Sequence, residues 1–131
     1  FSTLGKTITM KVILDTNTVM AIGQMKLDLF EELERLPFEH NVFVLDKTID
    51  ELEKIKKKSK GKDSQAAKLA LSILKAKGIK KIKSSPGYVD DLLVKLSKAG
   101  AIVVTQDKEL KSRLTKPYLT IRQKKTVVKV E

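Results

Sequence analysis

Cysteine and tryptophan are absent from the 131 residues, and histidine occurs once, at position 40. Without cysteine there is no disulfide and no thiolate metal site, and with one histidine a zinc centre of His and Cys ligands is impossible. Any bound metal must be held by oxygen, and oxygen ligands suit Mg²⁺ or Mn²⁺. The same lack fits a reducing compartment, so the cytoplasm is the expected location. No apolar run approaches the roughly 20 residues that span a bilayer, so no membrane partner is expected. Phe1–Thr9 has neither the charged start nor the apolar centre of a secretory signal. Those residues, ahead of Met10, are read as a short extension or cloning scar, and residues 10–131 as a single domain. Acidic residues are also in deficit: 16 Asp and Glu stand against 27 Lys and Arg, a net charge of +11. Abundant Lys and Glu can reflect thermal adaptation, but that does not account for a one-sided balance. Phosphate contact with a polyanion does, so nucleic acid is the favoured partner class.

What is present is the patterning of a folded α/β domain. Apolar residues make up 41% of the chain and charged ones 33%, a globular composition. Val12–Leu14, Val42–Leu45, Ile79–Ile82, Ala101–Thr105 and Tyr118–Ile121 are short, Val- and Ile-rich runs that read as strands. Between them, apolar residues recur at helical spacing. Leu27, Leu29, Phe30, Leu33 and Leu36 form one such series, closed by Pro37. Ile49, Leu52 and Ile55 form another, Ala66 to Leu74 a third stopped by Gly78, and Val89, Leu92, Leu93 and Leu96 a fourth ended by Gly100. Leu110 and Leu114 mark a short helix that Pro117 ends. The alternation predicts a three-layer α/β/α fold around a parallel sheet of about five strands.

In such sheets ligands gather beyond the carboxyl ends of the strands, and four acids fall there. Asp15 ends the first strand in "KVILDTNTVM", Glu51 lies on the helix after the second in "VLDKTIDELEKI", Asp90 opens a helix in "GYVDDLLVKL", and Asp107 follows the fourth strand in "VVTQD". Each has an ordinary reading. Asp15 and Asp107 could cap helices, Asp90 and Asp91 could favour a helix macrodipole, and Glu51 could face solvent. Together at one rim, however, the carboxylates repel and desolvate badly unless a cation joins them, and a divalent ion is the economical answer. Helical geometry separates neighbours: Asp90 flanks the apolar stripe of its helix, whereas Asp91 and Asp50 point outward.

These motifs resemble the PIN-domain nucleases. "ILDTN", "DELEKI", "YVDDLL" and "VTQD" match the family pattern in order and spacing from about Lys11 to Val128. The resemblance implies that Asp15, Glu51, Asp90 and Asp107 are the catalytic, metal-binding acids, and that Asn17 and Thr105 orient carboxylates or water. Glu109 stands where many relatives carry another acid. The stretch from Tyr88 to Leu114 with the closing "LTIRQKK" is most similar to the archaeal and eukaryotic branch linked to small-subunit rRNA processing. The toxin branch of VapBC-type pairs shares the same acids, and homodimerisation is common in the family.

The expected function is therefore Mg²⁺- or Mn²⁺-dependent endoribonuclease activity, in rRNA processing, with RNA as partner. A toxin ribonuclease and a non-catalytic RNA-binding scaffold are the alternatives, and retention of all four acids disfavours the scaffold. Lys54, Lys56, Lys57, Lys58, Lys60 and Lys62, in "KIKKKSKGK", are the expected phosphate-contacting surface, against the ordinary reading of a solvated helix end. Tyr88 and Tyr118 are candidate stacking residues but are expected to pack, and His40 is expected in a loop.

Overall fold

A computed structural model describes residues 9–24, 28–122 and 126–131. Leu27, read with the first helical series, lies outside them, as do Gln123–Lys125 of the closing motif. The elements run β1 (Met10–Leu14), α1 (Thr16–Gln24), α2 (Leu29–Glu34), β2 (His40–Leu45), α3 (Asp46–Lys58), α4 (Lys62–Ala76), β3 (Lys80–Ile82), α5 (Val89–Lys98), β4 (Ile102–Val104), α6 (Lys108–Arg113), β5 (Tyr118–Arg122) and β6 (Thr126–Val130).

The strands form one sheet in the order β3-β2-β1-β4-β5-β6. β1 is central, with Val12 opposite Val42 of β2 on one side and Ile102 of β4 on the other, both in parallel register. Burial on both faces explains why these strands read as continuous apolar runs rather than alternating ones. Val12, Leu14, Val44 and Val104 face a core built with α1, α2, α3 and α4. Ile13, Leu45 and Val103 face a second core under α5 and α6. The expected three layers are thus present.

The structure refines one expectation and corrects another. To the parallel sheet of about five strands it adds a sixth at the edge, so the sheet is mixed: β6 pairs antiparallel with β5, with Thr120 opposite Val128. The added pair lies at the edge, where a chain that folds back needs only a hairpin, so the parallel centre is undisturbed. "TVVKV" carried the β-branched signal for it. His40 is not in a loop: it begins β2, half-buried, with Nδ1 3.0 Å from the Phe38 carbonyl and its ring 5.7 Å from that of Phe38. α1, directly after Asp15, is a nine-residue helix.

Two glycines decide how helices end and approach. Gly78 has φ 64°, and Ile79 N donates to Leu74 O (3.0 Å) while Gly78 N donates to Lys75 O (3.1 Å). That pair of bonds closes α4 and turns the chain into β3, and Ile79 and Leu74 join the same core. Gly23 is needed for a different reason. A Cβ there would lie 2.6 Å from the Ala66 Cα and 2.7 Å from its carbonyl oxygen, so α1 and α4 cross backbone to backbone. Gly23→Ala is expected to lower stability by about 1–3 kcal/mol through overpacking, despite the better helix propensity of alanine. An unchanged urea midpoint would show that α1 and α4 can separate without cost.

Candidate active site

β1 and β4 are neighbours, but the chain leaves β1 toward β2 on one side and leaves β4 toward β5 on the other. The crevice between the carboxyl ends of β1 and β4 is therefore the topological switch point, where an open α/β sheet has room for a ligand. Asp15 sits there, 4% exposed. Its backbone N–H donates to Val104 O (3.2 Å), continuing the ladder across the gap. Its Oδ1 accepts the Thr18 N–H at 2.7 Å, so Asp15 does cap α1. Its Oδ2 accepts from Thr105 Oγ1 at 2.5 Å. Thr105, with no exposed surface, also accepts the Asp107 N–H at 3.1 Å. One hydroxyl thus joins two of the four acids across the switch point.

Asp107 caps α6. Its Oδ1 accepts the N–H groups of Glu109 (2.9 Å) and Leu110 (3.1 Å), and no hydrogen bond to Oδ2 is found among the described residues. Capping and site membership are compatible, because a cap uses one oxygen. Glu51, in the second turn of α3, reaches the same end of β1 through Thr16, whose Oγ1 lies 3.2 Å from Glu51 Oε1 and 3.3 Å from Thr48 Oγ1. Thr16 was not singled out in the sequence, although it follows Asp15 directly. Asn17 is exposed, and the hydrogen bonds to Asp15 come from Thr18 and Thr105 instead.

Asp90 enters from α5. It is reached by solvent, yet partial loss of hydration, and then the Asp107 charge, hold its carboxyl above the ordinary carboxylate range. Asp91 and Glu109 push the same way, and Arg113 opposes them. Asp15 is raised chiefly by burial, with the Asp90 charge adding to it and the bonds from Thr105 and Thr18 pulling it back. Asp15 thus feels the Asp90 charge and Asp90 the Asp107 charge, while Glu51 is tied to the same end of β1 through Thr16. Among the described residues, no three acidic or histidine side chains converge, as they stand, tightly enough to hold an ion. Asp91, expected to point outward, is exposed and pairs with Arg113 of α6 at 2.5 Å.

The family model for the PIN-like domain matches residues 12–124. The chain belongs to that family. Ribonuclease VapC4 of Methanocaldococcus jannaschii is 33% identical to it over 123 residues, which is 88% of this chain and 92% of that protein. Among solved structures, the PIN domain endonuclease Utp24 superposes with a TM-score of 0.72 at 28% identity, covering 91% of this chain and 90% of its own. Both of these PIN relatives are nucleases by name.

Around this PIN rim the expected lysine surface divides. Lys54 and Lys58 follow Glu51 by three and seven residues and share its side of α3, whereas Lys56 follows Ile49 and Glu53 by seven and three. Lys56 opens with those two residues into a groove of about 1010 Å³ between α3, α4 and β3, which Lys68, Lys75, Lys80 and Lys81 also line. None of the four acids lines that groove, so it is a basic recess separate from the rim. Lys57, Lys60 and Lys62 are exposed around the α3–α4 turn.

The raised Asp15 value has a definite consequence for stability. A folded carboxyl pKa above its unfolded value means that ionisation costs stability: stability is greatest below the unfolded value and is lost as pH rises through the folded one. Thr105→Val removes a bond that favours the ionised form, so it raises the folded value further. It is expected to cost about 1–3 kcal/mol at neutral pH. The deficit should shrink in acid as Asp15 takes a proton, and urea melts at pH 7 and pH 4 would show it. An equal deficit at both values would mean that Thr105 acts through packing alone.

Proposed function

We propose that this PIN-like domain is a divalent-metal-dependent endoribonuclease, with Asp15, Glu51, Asp90 and Asp107 as its metal-holding and catalytic acids. The observation that carries this reading is the pair Asp15 and Asp107 at the β1–β4 switch point, joined through Thr105, with the Asp90 charge felt at Asp15. The donor chemistry fits the ion. Every candidate ligand is a carboxylate oxygen, and Asp15 and Asp90 both have their charged forms disfavoured in the absence of a cation. Mg²⁺ or Mn²⁺, when bound, would supply Lewis-acid stabilisation of charge on the phosphodiester and make water a stronger nucleophile near neutral pH.

The protein's own groups have separable tasks. Thr105 and the Thr18 amide hold Asp15 in one orientation, so a rigid strand end rather than a loop presents that carboxylate. Thr16 fixes Glu51 relative to the same strand. The α6 amides fix Asp107 through Oδ1, which leaves Oδ2 to face the rim. Lys54 and Lys58 lie on the side of α3 that carries Glu51, where they would contact backbone phosphates flanking the scissile one.

The motif set supports a role in small-subunit rRNA processing. The 33% identity with Ribonuclease VapC4 supports a toxin ribonuclease equally. Growth arrest on expression, relieved by a neighbouring antitoxin gene, would favour the toxin. Crosslinking of wild type and Asp107→Asn to ribosomal precursor RNA in cells would favour processing.

Cleavage of a single-stranded RNA should fall about 100-fold or more for Asp15→Asn, Glu51→Gln, Asp90→Asn and Asp107→Asn, because each keeps shape but loses charge needed at the ion. Asp91→Asn, which removes only the surface pair with Arg113, should retain activity. Saturating Mg²⁺ or Mn²⁺ should raise the wild-type melting temperature, by about 2.7 kcal/mol of linkage at 100 times Kd, and should not raise that of Asp90→Asn as far. If neither ion binds and no RNA is cleaved, the non-catalytic scaffold takes the place of the nuclease.

The lysine division gives a second test. Lys54→Gln with Lys58→Gln should weaken binding of single-stranded RNA. The slope of log affinity against log salt should flatten by roughly 0.7 for each phosphate that is no longer neutralised. Lys56→Gln should change the slope less. Filter binding across a salt series distinguishes this from a uniform contribution by the whole run.

A further inference from the structure

We propose that the Tyr88 ring is a stacking platform for an unpaired nucleobase of RNA, beside the phosphodiester held at the acid rim. The proposal rests on the nuclease reading and adds to it one contact with a base.

Tyr88 does not pack, contrary to the expectation from sequence: it is 82% exposed, against 45% for Leu69, the other exposed large apolar side chain. Its ring has no aromatic neighbour among the described residues, where the aromatic contact is between Phe38 and His40. An aromatic side chain of this size ordinarily contributes by burial, so one left in water has no folding role to explain it. Its position, by contrast, is well determined. Tyr88 is the N-cap of α5, and its carbonyl accepts the Leu92 N–H at 3.0 Å. The loop leading to it is fastened to the first turn of α3 at two points. Asp46 Oδ1 accepts the Ser84 N–H at 3.0 Å, and the Lys47 ammonium donates to the Gly87 carbonyl. A fixed backbone presenting a bare ring loses little conformational entropy on binding.

Tyr88 precedes Asp90 by two residues, so their Cα atoms lie within about 7 Å of each other. A phosphodiester reaching Asp90 therefore brings its own or its neighbouring base within range of the ring. Every base has a π-face, so such a contact tolerates sequence but requires that the base be free of its helix. In a duplex both faces of each base are already stacked.

The absence of tryptophan makes Tyr88→Trp a direct reporter, because the new indole would be the only one in the chain. In chelator, which stops cleavage, a labelled single-stranded RNA should quench that indole over the same concentrations at which its own anisotropy rises, and a duplex of equal length should not. Tyr88→Ala should raise KM for the single strand by roughly 5- to 100-fold with little change in kcat or melting temperature. Tyr88→Trp should keep KM near that of wild type. Indole emission that stays constant while anisotropy reports binding, or a Tyr88→Ala KM equal to wild type, would overturn the stacking role and leave the nuclease intact. The second result would point to a protein partner for the exposed ring. Wild type that neither binds nor cleaves RNA would overturn both readings.

Discussion

Asp15 is a carboxylate placed where carboxylates are unfavourable, at the end of the central strand with 4% of its surface exposed, and much of the architecture around it is arranged to hold it there. Burial of a charge without partners would cost several kcal/mol. Here Thr18 and Thr105 each give one hydrogen bond, and those two bonds come from opposite sides of the switch point: α1 on one, the end of β4 on the other. Thr18 Oγ1 also donates to Val104 O at 2.9 Å, so the same helix turn is tied to β4 directly as well. Removing the carboxylate would therefore loosen the start of α1 and its seam with β4 together. Burial, and to a smaller degree the Asp90 charge, still hold its carboxyl above the ordinary range, so these bonds offset the cost only in part.

The rest of the rim follows from parallel topology. Parallel strands deliver all their carboxyl ends to one edge, and each helix that follows begins there. Helix starts need acceptors for free N–H groups, and Asp15 and Asp107 meet that need. A fold of this class thus collects carboxylates at one edge for local reasons. A ligand site arises when the strand order places two such ends side by side with space between them, as β1 and β4 do. The ordinary and the functional readings of these acids are two uses of different oxygens on one side chain.

This explains which parts were legible in the sequence. The strands were readable because burial on both faces demands unbroken runs such as "KVIL" and "AIVV". Asp15, Asp107 and Thr105 were readable because motif and strand end coincide. β6 was missed because an edge strand is only half-buried and gives a short, weak pattern, with Val127 and Val128 partly covered. Sequence proximity to Asp15 does not reveal which side of α1 a residue occupies: Asn17 is exposed, and the bonds to Asp15 come from Thr18 and Thr105. Thr16 was passed over for the same reason: its partners Thr48 and Glu51 are more than thirty residues away. Tyr88 shows the limit most clearly. Nothing in "PGYVDD" distinguishes a buried ring from a bare one, because the difference lies in whether another element covers it.

α3 converts these placements into a distribution of charge. Its first turn, at Asp46 and Lys47, fastens the loop that carries Tyr88. Glu51 lies one turn further on, and Lys54 and Lys58 extend the same side toward the far end. At 1.5 Å per residue, Lys58 is about 10 Å along the axis from Glu51, close to a Debye length at physiological salt. That separation is long enough that Lys58 does not pair with Glu51, and short enough that it would draw a bound RNA backbone toward the rim. Among the described residues, the ion pair at this edge joins Asp91 to Arg113, which occupies the carboxylate that the rim does not use. The net charge of +11 and a rim carrying Asp15, Asp90 and Asp107 are therefore compatible. The positive field would gather the polyanion, and a cation bound at the rim would ease the ionisation of Asp15 and Asp90, whose carboxyls are held above the ordinary range.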